Sequence, residues 1–129
     1  MGTYNEHFTQ AKHNLGAAKF LTGQDLAAYR DWVVTMCFYS GVHCAEAAFS
    51  HMAVPVHTET ACAKFDKHAW REKLIAKAFP TASDDYRTLR NLSGIARYKS
   101  SRFINVSDAA NSPELVENIR KEMKLPPFE

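Results

Sequence analysis

The chain has 129 residues, 46% of them apolar and 23% charged, with a formal net charge of +2. That length and balance suit one domain, spanning 1–129, whose core needs no metal or disulfide, and they exclude a disordered chain. So small a net charge creates no global field toward nucleic acid, and any electrostatic recognition has to come from local clustering.

Helical periodicity recurs along the chain, while alternating β-branched runs and Asn-Gly or Asp-Gly turns are missing. The first helix is predicted over about 4–22, with Tyr4, Phe8, Ala11, Leu15 and Ala18 on one apolar stripe. Gly23 is expected to close it in the left-handed conformation, and Asp25 to cap a second helix running to about Met52. That second helix is apolar on nearly every side, through Trp32, Val33, Val34, Met36, Cys37, Phe38, Val42, Phe49 and Met52. Such a helix belongs at the centre of a bundle, and Gly41 within it would let a neighbour approach closely. Pro55 marks its exit. A third helix is expected from Asp66 to about Phe79, with Trp70, Leu74 and Ala78 along one side and Pro80 as its stop. Ser83 would cap a fourth, with Asp84 and Asp85 in its first turn and its end near Tyr98. After a loose stretch, Ser112-Pro113-Glu114 reads as the start of a last helix with Leu115, Ile119 and Met123 inward. The sum is an all-α, up-and-down bundle of four to five helices.

Two polar rows stand out on these cylinders. Tyr39, His43, Glu46 and Ser50 share one face of the second helix, and Tyr86, Arg90, Ser93 and Arg97 one face of the fourth. A carboxylate inside a bundle needs a cation, so Arg90 or Arg97 is expected to meet Glu46 and His43. Two readings of such a network stand side by side. It is either a satisfied core cluster that fixes helix register, or the lining of a cleft for phosphate or an RNA backbone. Beyond it, "ARYKSSRF" offers Arg97, Lys99 and Arg102 to phosphates and Tyr98 and Phe103 to bases, or is simply a solvated helix end.

Other chemistries find less support. His43-x-x-Glu46 is at most half a metal site, and the remaining histidines add no second pair, so no metal is expected. The five glycines form no phosphate loop, and no cofactor is implied. Cys37 and Cys44, seven apart on one helix, read as small core residues. An odd cysteine count, an N-terminus without a basic-then-apolar leader and no apolar run of roughly 18 residues together suggest a cytoplasmic protein that does not enter a membrane.

In order, "YSGVHCAEAAF", "HAWREKLIAKAFP" and "DDYRTLRNLSGIARY" resemble the small bacterial branch of the HEPN (higher eukaryotes and prokaryotes nucleotide-binding) superfamily over about 32–98. The resemblance implies a helical bundle that commonly homodimerises and, in many members, a metal-independent ribonuclease. The family motif is an arginine, often followed by asparagine, with a histidine one to two helical turns further on. Arg90-Asn91 matches its first half. The second half is absent: Ile95, Ala96 and Arg97 occupy that window, and a guanidinium is no general base.

The resemblance therefore implies a catalytically degenerate domain that binds RNA, a nucleotide or a protein partner through a basic groove. Its binding residues would be His43, Glu46, Arg90, Arg97, Tyr98 and Arg102. The first-helix stripe and the arginine-bearing helix would serve as interfaces. The alternatives are a ribonuclease in which His43 or His68 supplies the acid-base group beside Arg90, and an interaction module that neutralises a protein encoded nearby, as in toxin–antitoxin pairs.

Overall fold

The computed structural model describes residues 2–52 and 67–129, and among these it is an all-α bundle without strands. Helices run over Tyr4–His51 (α1), Lys67–Ala78 (α2), Pro80–Tyr98 (α3) and Val106–Glu122 (α4), with a single 3₁₀ turn at Ser101–Phe103.

Helical hydrogen bonding continues along α1, but Asp25 and Tyr29 leave helical backbone angles. The Asp25 carboxylate accepts from the Ala28 N–H at 3.2 Å, as an N-cap does. Contacts across the two arms show that the chain reverses there. The Ser40 hydroxyl donates to the Ala11 carbonyl at 2.7 Å, His7 meets His43, and the Tyr4 ring lies 3.9 Å from that of His51. α1 is therefore an antiparallel helical hairpin, and the predicted break at Asp25 is present. Gly23 does not close the first arm in the left-handed conformation: no described glycine has positive φ. The reversal is made by Asp25 and its capping carboxylate instead.

Ala11, Leu15 and Ala18 of the first arm are buried against Val33, Cys37, Phe38, Val42, Cys44 and Phe49 of the second. That stripe lies inside the protein, so it cannot be the interface expected of it. From Ser40 to Phe49 all residues but His43 are buried, which makes the second arm the axis of the bundle, with α3 and α4 packed on it. Two apolar members of its expected core, Trp32 and Met52, are exposed instead. Burial pushes the thiols of Cys37 and Cys44 up to about 12, so both are inert core residues.

Asp66, the expected cap of α2, lies outside the described residues. Trp70, Leu74 and Ala78 pack against the core as expected, and Arg71 and Ile75 beside them are the buried residues of α2. α3 begins at Pro80, so proline opens this helix rather than only stopping the one before, and Ser83 lies inside it. α4 begins at Val106, a turn and a half before Ser112, and tolerates Pro113 internally. It ends in a two-bond C-cap: the Lys124 N–H reaches the Lys121 carbonyl and the Leu125 N–H that of Arg120, each at 3.0 Å. Lys124 takes φ 59° to do so. Buried Arg120 ties the tail down by donating to the Leu125 carbonyl at 2.9 Å.

Candidate functional site

The polar row of the second arm divides between two environments. Glu46 is 3% exposed, and Arg71 of α2 is its cation, with Nε 2.8 Å from Oε1. The expectation that Arg90 or Arg97 fills this role is corrected. Arg90 is taken up by Glu72 of α2 and Arg97 by the Tyr39 hydroxyl and the Ser93 carbonyl, while α2 turns Arg71 into the core. Burial alone would lower the Arg71 guanidinium, but the buried Tyr86 hydroxyl and the Glu46 carboxylate outweigh it and raise it, so the guanidinium stays charged. His43 points the other way, toward the first arm, with its Nδ1 2.9 Å from Nδ1 of His7. Burial is the main cause that lowers His43, and the neighbouring His7 adds to it.

Arg71 also faces outward. Its Nη1 lies 3.3 Å from Nδ1 of His68, one turn earlier on α2. A guanidinium has only donors, so Nδ1 must accept and the imidazole proton belongs on Nε2. His68 packs on the Phe38 ring, 5.7 Å between centroids, and forms one wall of a cleft of about 380 Å³ between α2 and α3. The other walls are Arg90, Asn91, Gly94, Arg97 and Tyr98.

The positions of these groups follow from helix geometry. Arg90, Gly94, Arg97 and Tyr98 recur three or four apart and so share one face of α3. A Cβ on Gly94 would meet nothing within 4 Å, so the missing side chain leaves the cleft open at its middle. Arg90 is oriented by Glu72 of α2, to which Nη1 donates. Arg97 is held differently. It donates to the Tyr39 hydroxyl at 3.1 Å and to the Ser93 carbonyl at 3.3 Å, and lies 5.3–6.0 Å from the ring centres of Tyr98, Tyr39 and Phe38. Among the described residues it has no carboxylate partner. Tyr98 is 79% exposed.

No family model, curated protein or solved structure matches this chain.

Of the residues singled out in the sequence, the cleft thus brings together Arg90, Arg97, Tyr98 and His68. Glu46 lies behind it, linked through Arg71, and His43 is directed elsewhere. Arg102 stacks on Phe103, 4.9 Å from its ring centre, and does not line the cleft. Arg71 was not anticipated. The available signal was that Arg71 and Ile75, four apart, define a helix face as well as Trp70 and Leu74 do. No cluster of three or more His, Cys, Asp or Glu suited to a metal ion occurs among the described residues, and none of their helices is long and apolar enough to cross a membrane.

Proposed function

We propose that this chain binds RNA through the α2–α3 cleft, as a catalytically degenerate HEPN-like domain. The observation that carries this reading is Arg97, a guanidinium held by a hydroxyl, a carbonyl and aromatic rings in an open cleft, with no carboxylate among the described residues to neutralise it. Such a group is set to receive an anion, and its planar fork suits phosphate oxygens. Arg90 and the Asn91 amide add donors on the same helix. Exposed Tyr98 offers a ring to a base. His68 on the cleft wall already has Nδ1 engaged, 3.3 Å from Nη1 of Arg71, which favours a positioning role over turnover.

Fluorescence anisotropy with a labelled single-stranded RNA pentamer tests the reading. Binding should weaken with salt at a log–log slope of about −1.4, as for two neutralised phosphates on a single strand. Arg97→Ala should weaken it by about ten- to a hundredfold. Gly94→Leu should block the cleft without loss of stability, since its side chain enters open space. Binding indifferent to both substitutions refutes the assignment. Affinity for adenosine monophosphate equal to that for the pentamer would reassign the cleft to free nucleotides. Metal-independent cleavage of the pentamer would replace the degenerate reading with the nuclease one.

A further inference from the structure

A second hollow, of about 150 Å³, lies beside the cleft between the second arm of α1 and the end of α3. Its walls are Asp31, Trp32, Thr35, Ala96 and Arg97, and Arg97 is common to both hollows. We infer that this hollow is a nucleobase subsite, in which a base of single-stranded RNA stacks on the Trp32 indole while its phosphate lies in the α2–α3 cleft. The inference rests on the RNA reading of the cleft and adds to it the place of the base and a requirement for unpaired strands.

Trp32 stands in an apolar run, next to the fully buried Val33 and Val34, yet is 56% exposed. A tryptophan is on average highly buried, so this indole is apolar surface left in water. Its backbone is fixed by those two valines, so the ring is presented from a rigid helix rather than a loop. Asp31 and Arg97 line the same hollow without an ion pair between them, so its polar groups are of mixed charge and suit a neutral planar group with polar edges. The Asp31 carboxylate can accept a base N–H, and the Thr35 hydroxyl can donate to or accept from a base edge.

Because both hollows share Arg97, a phosphate held in the cleft places its neighbouring base beside Trp32. A base engaged in a duplex presents neither its face nor its pairing edge, so only an unpaired strand can enter.

The test compares the labelled RNA pentamer with the same ribose-phosphate pentamer lacking bases, on wild type and on Trp32→Ala and Trp32→Phe in the full chain. Base stacking implies that Trp32→Ala weakens the base-bearing pentamer by about ten- to a hundredfold. The abasic pentamer should bind wild type and Trp32→Ala equally, within about twofold, and Trp32→Phe should keep most of the base-dependent affinity. The subsite is refuted if Trp32→Ala weakens both oligomers alike, or neither, while Arg97→Ala and Gly94→Leu still abolish binding; the cleft reading then survives alone. If wild type binds neither oligomer, both readings fail. If Trp32→Ala instead turns a sedimenting dimer into a monomer with base discrimination unchanged, the indole belongs to an interface between copies, and the subsite is likewise refuted.

Discussion

Replacing Arg71 with methionine tests the buried ion pair at the centre of the site. The substitution keeps the length and most of the apolar stem but removes the guanidinium that neutralises Glu46, a residue 3% exposed with its carboxylate 2.8 Å from Nε. Removing one partner of a buried pair costs about 3–5 kcal/mol. Total stability for a domain of this size is about 5–15 kcal/mol, so the loss is a third of it or more in most cases. With a urea m-value of about 2 kcal/mol per M, the unfolding midpoint should fall by roughly 2 M at unchanged m. The double variant Glu46→Leu/Arg71→Met separates this cause from packing. It removes both charges, and apolar replacements of buried pairs are often neutral or stabilising, so most of the lost midpoint should return. A double variant as unstable as Arg71→Met, or a single variant costing less than about 1 kcal/mol, would show that Glu46 is not a charge dependent on Arg71 and would refute the reasoning.

Three further outcomes follow from single positions. Lys124→Gly should stabilise the protein by about 1 kcal/mol, because Lys124 holds φ 59° at a C-cap position where glycine carries no Cβ penalty, and thermal unfolding measures the gain. Gly41→Ala should also stabilise the protein by about 0.5–1 kcal/mol, read as a higher unfolding temperature: a Cβ there meets Ile119, Leu89 and Tyr86 at 3.6–3.8 Å, ordinary contact, while glycine inside a helix costs propensity. Burial and His7 hold His43 below its ordinary value, so the unfolded chain takes up its proton first as pH falls. The stability His43 contributes is therefore present above about pH 6.5 and lost below it, and denaturant unfolding from pH 8 to 5 should show a decline that His43→Gln flattens.

What could be read from the sequence depended on how local each determinant is. The hairpin break at Asp25 and the end of α3 at Tyr98 rest on a cap and on a periodicity that stops, both within a few residues. The start of α4 was misplaced because Ser112-Pro113 is as good a helix opening as Asn105-Val106, and only packing of Ala109 and Ser112 into the core makes the earlier turns helical. The apolar side of α2 was legible in Trp70, Leu74 and Ala78, but Arg71 was not, because a hydrophobic pattern counts arginine as outward and Arg71 points inward for a partner 25 residues away. For the same reason Arg90 and Arg97 were assigned to Glu46. They lie on the correct face of α3, but the arginine nearer the carboxylate belongs to another helix. Arg90, Arg97 and Tyr98 were recognisable as a group since one helix carries them, whereas His68 joins them only through tertiary packing.

The ion pair and the cleft are one arrangement. Arg71 is planar, and two of its nitrogens are committed: Nε to Glu46 in the interior and Nη1 toward Nδ1 of His68 at the cleft wall. Because the guanidinium plane is fixed by the buried carboxylate, the orientation and tautomer of the imidazole at the surface are fixed with it. A lysine could neutralise Glu46 but, as a point charge on a flexible stem, could not hold both groups in one plane. The alternatives of a structural core network and a cleft lining are therefore not exclusive for the Glu46 row. Its buried end stabilises the bundle, and the same guanidinium sets which nitrogen of His68 carries the proton beside Arg90 and Arg97. A change at Glu46 should thus be felt in the cleft even though its carboxylate is sealed from it.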